Sequence, residues 1–126
     1  MSINEICAKY GVRVEYFDKD VWNRNGIYID EIKVVFVSKD LSPDKQKQVI
    51  LHELGHIDHT EFEYKNAKIK CENEADRNMI HHLLEDALDQ LENPSDFNYL
   101  KFMEFYNLKT TTDEVMVMEE YKALLN

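Results

Sequence analysis

The sequence predicts an α+β fold, in which a small antiparallel sheet of three strands packs on helices and the C-terminus is helical. Three observations support this prediction. Hydrophobic residues alternate with polar ones, as in strands, only in the segment from Val12 to Ser38. Elsewhere they recur at helical spacing. The 126 residues include only 3 Gly and 2 Pro, so few positions interrupt long helices.

The N-terminal third contains the first helix and the whole predicted sheet. Residues 2–10 place apolar side chains on one helical stripe, with Ser2 as the N-cap, and Gly11 ends this helix. The segments that follow are rich in β-branched and aromatic residues, and Asn25-Gly26 marks a turn between them. They predict three strands, at residues 12–16, 27–30 and 33–38.

The remaining chain predicts helices. Ser42 is an N-cap, Pro43 suits the first helical position, and Asp44 is favourable near the helix N-terminus. The helix that begins there buries the stripe Ile50, Leu54 and Ile57 against the sheet. Further helices are predicted at residues 67–91, 95–107 and 112–125. All 126 residues are predicted to form one domain, with residues 96–126 as its helical C-terminal extension.

Composition excludes several classes of function. The net charge of −10 opposes direct binding to nucleic acid, because the phosphate backbone would repel the protein. Cys7 and Cys71 form no C-x-x-C pair, which favours two free thiols in a reducing compartment. The longest aliphatic and aromatic run, VVFV, is too short to cross a bilayer. We therefore expect a soluble cytoplasmic protein that does not bind a membrane.

Residues 49–60, VILHELGHIDHT, contain the motif HELGH. In a chain of this composition His-Glu-x-x-His arises by chance about two times in a hundred. Residues four apart share one face of a helix, so His52 and His56 can both bind one zinc ion. Glu53 lies beside that face, where it can take a proton from the attacking water. We expect the motif to lie well inside its helix. Zinc binding by the two histidines and proton uptake by Glu53 are the chemistry of zinc-dependent peptide hydrolysis.

A catalytic zinc ion needs a third protein ligand. His59 lies about 10 Å along the axis from His52, which suits a shared ion poorly. Glu72 and Asp76 share a face of the next helix, so Glu72 can be the third ligand while Asp76 accepts a hydrogen bond from a ligand histidine. Glu74 is the competing ligand, but it points about 200° away from Glu72 around the helix.

Two small residues fit this arrangement of the two helices. Ala75, one turn from Glu72, allows close approach to the HELGH helix. Gly55 costs about 1 kcal/mol relative to alanine inside a helix, and so indicates a close-packing requirement. The predicted fold is therefore zincin-like, with an HExxH helix and a second helix that carries a ligand.

Two further roles stay open from the sequence. The strand at residues 33–38 precedes the metal helix, and such a strand can pair with an extended substrate or can lie inside the sheet. Four side chains can donate to the developing oxyanion, and the sequence does not choose among them. They are Tyr28, Tyr64, His81 and His82.

The succession GVRVEYF, NGIYID, KVVFVS, HELGH and ENEAD resembles the ImmA/IrrE family of metallo-endopeptidases found on phages and mobile elements. The resemblance covers most of the chain and is strongest from Gly26 to about Leu84. The family's third ligand is a glutamate followed three residues later by Ala and then Asn, Asp or Ser, which corresponds here to Glu72. This chain has Asn78-Met79 where the family usually has Phe-Ala, and family members are often longer.

The resemblance implies a function for the predicted site. It implies an endopeptidase in a bacterial host cell that cleaves a helix-turn-helix repressor encoded nearby and so relieves repression. In the family such a regulator is sometimes paired with the peptidase as a toxin-antitoxin-like unit. The alternative is a non-catalytic protein that sequesters the regulator, with its metal structural or absent.

Overall fold

The computed structural model describes residues 2–125 and has the predicted α+β class. One helix precedes the three strands, and all the elements after the strands are helical. In chain order they are α1 (Ile3–Tyr10), β1 (Arg13–Phe17), β2 (Gly26–Ile29), β3 (Val34–Ser38), α2 (Pro43–Leu54), α3 (Glu61–Asn66), α4 (Lys68–Asp89), α5 (Tyr99–Phe105) and α6 (Thr111–Leu125), with a short 3₁₀ turn at Pro94–Asp96.

The predicted caps of the first two long helices are present. The Ser2 hydroxyl accepts a hydrogen bond from the backbone N–H of Glu5, and the Glu5 carboxylate accepts one from the backbone of Ser2. Gly11 ends α1 with a φ of 68°, a left-handed conformation that glycine adopts without a Cβ penalty. At α2 the Ser42 hydroxyl accepts from the N–H of Lys45. These local signals therefore define where α1 and α2 begin.

The sheet is mixed, which corrects the prediction of antiparallel pairing throughout. Its strand order is β1-β3-β2. β2 pairs antiparallel with β3, as expected, but β1 pairs parallel with it. The reason is the apolar character of β3, whose residues Val34, Val35 and Val37 are fully buried. A strand that is apolar on both faces is most stable at the centre of a sheet.

The connection between β1 and β2 makes this order possible. Residues 18–25 carry the chain past the end of β3, so that β2 forms on its far side. Trp22 in this connection packs edge-on against Phe17 and Phe36, with ring centroids 5.4 and 5.6 Å away. The aromatic contacts hold the crossing loop against the sheet.

The predicted long helix and the two C-terminal helices are present, at α4, α5 and α6. The short α3, capped by the Thr60 hydroxyl, was not among the predicted helices. α4 lies between α2 and α6 and buries one stripe against both. That stripe consists of Cys71, Ala75, Met79, Ile80, Leu83 and Leu84. Within residues 2–125, none of the helices is both long and apolar enough to span a bilayer.

Candidate metal centre

His52 and His56 lie on either side of the C-terminus of α2. The regular helix ends at Leu54, so the expectation that HELGH lies well inside the helix is wrong. Hydrogen bonds from His56 N to Glu53 O and from Ile57 N to Leu54 O, 3.0 and 3.2 Å long, continue the chain as a tight 3₁₀-like turn. His56 therefore still lies one turn after His52, and their Nε2 atoms are 3.3 Å apart.

Glu72 on α4 completes a group of three candidate ligands with these histidines. Its Oε2 lies 3.1 Å from His52 Nε2, and its Oε1 lies 3.4 Å from His56 Nε2. Tetrahedral zinc sites with bonds of 2.0–2.1 Å separate their ligand atoms by about 3.3–3.4 Å. The three side chains are therefore spaced as a zinc ion requires. Among the residues that the structure describes, no other group of three such side chains has this geometry.

Asp76 takes the position predicted for it. Its Oδ1 lies 2.8 Å from His52 Nδ1, the ring nitrogen that faces away from Glu72. A carboxylate there holds the proton on Nδ1 and leaves Nε2 free to bind a metal. Burial lowers the pKa of His52, but Asp76 and Glu72 outweigh it and leave that pKa raised. The two carboxylates therefore stabilise positive charge at His52, and a metal cation bound at Nε2 would take the place of the proton there.

His56 and His52 differ in their electrostatic surroundings. Burial lowers the pKa of His56, although the Glu72 carboxylate acts in the opposite direction. The neutral imidazole, which is the metal-binding form, is thereby favoured at His56.

The close approach of α2 and α4 depends on Gly55 and Ala75. A Cβ built on Gly55 would lie 2.6 Å from the Cα of Ala75 and 3.0 Å from its carbonyl oxygen. The backbone of Gly55 is ordinary helical, with φ −67°, so glycine is needed here for space and not for conformation. This contact is the close packing that was predicted from Gly55. It brings Glu72 on α4 to the two histidines.

We expect Gly55→Ala to destabilise the protein by about 1–3 kcal/mol, because the new methyl group meets backbone that cannot move aside. Zinc affinity should fall as well, since α4 carries Glu72. Urea unfolding and chelator competition measure the two effects. Gly11→Ala is the matched control, because its φ of 68° makes it costly in stability while it lies far from the site in the chain. Unchanged zinc affinity in Gly55→Ala would contradict the packing argument.

Glu53 lies in the last turn of α2 and is partly buried. Burial raises the pKa of its carboxyl above the ordinary value, and the His52 side chain and a backbone hydrogen bond from Tyr28 act against that shift. A carboxylate with a raised pKa is a better proton acceptor near neutral pH. Glu53 lines the same cleft as His52, His56 and Glu72.

His59 and Glu74, the two rejected ligands, lie outside the three-ligand group. His59 Nε2 instead lies 3.0 Å from Glu74 Oε2, and His59 Nδ1 lies 3.0 Å from His56 Nδ1. Only 8 % of the His59 side chain is exposed, so it is neither a solvent-exposed residue nor a helix cap. Sequence reasoning missed the pairing of His59 with Glu74. Its only indication was that the two positions carry side chains able to hydrogen-bond to each other.

Of the four candidate oxyanion donors, Tyr64 lies closest to the ligands. Its hydroxyl donates to Glu72 Oε1 at 2.8 Å, which raises the pKa of Tyr64 to about 12. The Tyr28 hydroxyl also lines the cleft, but it donates to Asp30 at 3.0 Å. His81 bonds to Glu120 on α6, and neither His81 nor His82 lines the cleft. Among these four residues only Tyr64 hydrogen-bonds to a candidate ligand, and Tyr28 is the other one that lines the cleft.

Two clefts meet at His52 and Glu53. The larger, about 980 Å³, runs along β2 and under α3. The smaller, about 460 Å³, opens between Gly26 and the chain near Tyr106. β2 is an edge strand, whereas β3 lies between two strands and has no free edge. Of the two roles left open for residues 33–38, the structure supports the strand inside the sheet, and the free edge beside the site belongs to β2.

Comparison with known families gives a match over most of the chain. The family model described as IrrE N-terminal-like domain, Peptidase_M78, matches residues 7–118. Searches of curated proteins and of solved structures found no match. The matched segment contains the three candidate ligands, Glu53 and Asp76.

Proposed function

We propose, since the chain belongs to the IrrE N-terminal-like domain family of metallopeptidases, that it is a zinc-dependent endopeptidase. The observation that carries the proposal is the convergence of His52, His56 and Glu72 to within 4.8 Å, with Glu53 lining the same cleft. Two imidazoles, a third ligand and a partly buried carboxylate form the minimum set for metal-assisted hydrolysis of a peptide bond.

His52, His56 and Glu72 would hold the metal, and the donor set of two nitrogens and one carboxylate suits zinc. Zn²⁺ bound there would polarise the scissile carbonyl and acidify the attacking water. Asp76 would keep the His52 ring in the tautomer that offers Nε2 to the ion. The three candidate ligands line the larger cleft, so a substrate would reach the metal from that side.

Glu53 would act as general base and then as general acid. Its carboxylate accepts a proton from the attacking water, and the oxygen of that water forms the new bond to the carbonyl carbon. The same proton then passes from Glu53 to the nitrogen of the leaving amine as the C–N bond breaks. The raised pKa of Glu53 favours the first transfer, the uptake of the proton from water, near neutral pH.

The free edge of β2 would align the substrate. An extended peptide can add to an edge strand through main-chain hydrogen bonds, which give affinity without strict sequence specificity. The clefts on both sides of His52 and Glu53 leave room for chain in both directions from the scissile bond. That arrangement supports an endopeptidase over an enzyme that removes single terminal residues.

Tyr64 would stabilise the developing oxyanion. Its hydroxyl lies 2.8 Å from Glu72 Oε1, beside the ligand atoms, and its ring packs against His56 with centroids 5.6 Å apart. Tyr64 is held on the short helix α3, which lies at the mouth of the cleft. A rotation of the side chain away from Glu72 would turn the hydroxyl towards a bound substrate carbonyl.

We expect Tyr64→Phe to lower kcat by about 10²-fold at saturating zinc and to change KM little, because the hydroxyl acts on the transition state. Steady-state hydrolysis of a quenched fluorescent peptide measures both constants. Tyr28→Phe is the matched control, since that hydroxyl lies in the same cleft but donates to Asp30. An equal loss in the two variants would remove Tyr64 from this role.

The substrate that the family resemblance implies is a helix-turn-helix repressor of a phage or mobile element. The net charge of −10 supports a protein substrate over direct binding to DNA. The second candidate, a binding protein that sequesters the repressor, shares the same complex but needs no chemistry. The partly buried Glu53, whose carboxyl pKa is raised, lies beside the ligand group and favours the peptidase, because sequestration has no use for a general base.

The proposal is tested by mixing the purified zinc-loaded chain with the repressor encoded beside it and examining the products by mass spectrometry. We expect two fragments from an internal cut, no fragments in the presence of a chelator, and restored cleavage after stoichiometric zinc is added back. A tight complex with an intact repressor under all three conditions would establish sequestration and overturn the peptidase.

A further inference from the structure

His56 has a partner on its second ring nitrogen that differs from the partner of His52. His52 Nδ1 meets a carboxylate directly, at Asp76. His56 Nδ1 instead meets another histidine, His59, at 3.0 Å, and the far nitrogen of His59 meets the Glu74 carboxylate at 3.0 Å. The carboxylate on the His56 side is therefore one imidazole further from the site.

The order of donors and acceptors along this chain is set by chemistry. Ionised Glu74 can only accept, so His59 Nε2 must donate to it. The neutral His59 ring then has a lone pair on Nδ1, which accepts the Nδ1–H of His56. His56 is left with its lone pair on Nε2, the atom that faces His52 and Glu72. Glu74 thereby selects the tautomer of His56 through His59.

The position of His59 is held by structure around it. Its backbone N–H donates to the carbonyl of His56 at 2.9 Å, and the Thr60 cap of α3 follows immediately. Its ring lies 5.2 Å from the His56 ring, and only 8 % of the side chain is exposed. A histidine placed at random on this acidic surface would keep its polar ring in water.

We propose that His59 and Glu74 are positioning residues that orient His56 towards the metal, as Asp76 orients His52; this inference rests on the proposed metal site. The α2–α4 contact at Gly55 sets the separation across which each pair must reach. Each histidine ligand is thus supported by a carboxylate of α4, directly for His52 and through His59 for His56. His59 and Glu74 both lie outside the group of three candidate ligands.

The test measures zinc affinity by chelator competition on three variants of the full chain. His59→Phe keeps a ring but offers no acceptor, and Glu74→Leu removes the terminal carboxylate. Each is expected to weaken zinc binding by about 10-fold to 100-fold, the effect of losing a supporting residue at such sites. His59→Gln, whose amide can accept from His56 and donate to Glu74, is expected to recover most of that affinity.

The double variant His59→Phe/Glu74→Leu shows whether the two residues act as one chain. Its loss should equal that of His59→Phe alone, because Glu74 acts only through His59. Asp58→Asn is the charge control, since Asp58 is exposed and lines the same cleft without joining this chain. Its zinc affinity should stay within about twofold of wild type, a change too small to reflect a lost supporting residue.

Binding of Co²⁺ separates positioning from direct ligation. At saturation, the visible absorption bands of the cobalt-loaded His59→Phe protein should match those of wild type, since the ligand set is unchanged. Zinc affinity equal to wild type in His59→Phe, additive losses in the double variant, or shifted cobalt bands would each overturn the inference. Failure of wild type itself to bind zinc would instead overturn the proposed function, so the two failures are distinguishable.

Discussion

Replacing Glu53 with glutamine is expected to lower kcat for peptide hydrolysis by about 10²–10⁴-fold, the range that a positioned general acid-base group contributes. Glutamine has nearly the same shape, so zinc content and binding of the repressor should stay at wild-type levels. The loss arises because an amide cannot take up the proton of the attacking water. Single-turnover cleavage of the repressor, followed by mass spectrometry, measures the rate.

The same variant separates the two candidate functions. If the protein is a peptidase, the Glu53→Gln variant should no longer relieve repression in cells, even though its complex with the repressor still forms. A sequestering protein relieves repression equally with either residue. Glu61→Gln is the matched control, because it changes a carboxylate that lines the same cleft outside the ligand group. Full derepression by Glu53→Gln with intact repressor would end the peptidase interpretation.

Glu72→Ala is expected to lower zinc affinity by more than about 100-fold, beyond the effect of losing a supporting residue, and to abolish cleavage with it. Two histidines alone leave the ion with too few protein ligands. The Glu72 carboxylate lies 3.1 Å from His52 and 3.4 Å from His56, and no other carboxylate of the described residues forms such a group with the two histidines. Zinc content after dialysis and chelator competition measure this loss.

The matched change for this prediction is Glu61→Ala, which removes a carboxylate from α3 in the same cleft. We expect it to keep bound zinc at one ion per chain. Far-ultraviolet circular dichroism on both variants checks that the helix content of the protein is unchanged. Full zinc occupancy in Glu72→Ala would move the third ligand elsewhere, and the geometry of the three-residue group would then need another explanation.

Local signals predicted most of the secondary structure because those signals act within a few residues. Ser2, Gly11 and Ser42 cap or end their helices as their side chains and conformations require. The C-terminus of α2 was less predictable. The helical pattern continues through Ile57, but the backbone tightens after Leu54, and the sequence has no breaker there except Gly55.

The order of the strands in the sheet could not be predicted from the hydrophobic periodicity of the sequence. Alternation identifies β1, β2 and β3 but does not say which strand lies between the others, since that depends on contacts distant in sequence. Burial on both faces puts β3 at the centre. The expected antiparallel pairing therefore held for β2 alone, and the free edge beside the cleft belongs to β2 instead of β3.

The spacing within HELGH and within ENEAD determined which groups could share one ion, because helical geometry relates residues four apart whatever surrounds them. It identified His52, His56, Glu53, Glu72 and Asp76 as a candidate set. The partners of Tyr64, His59 and Glu74 were decided only by the tertiary structure. Those contacts depend on how α3 and α4 pack across the end of α2. The distance between α2 and α4 is set by the contact of Gly55 with Ala75, which no single segment of the sequence determines.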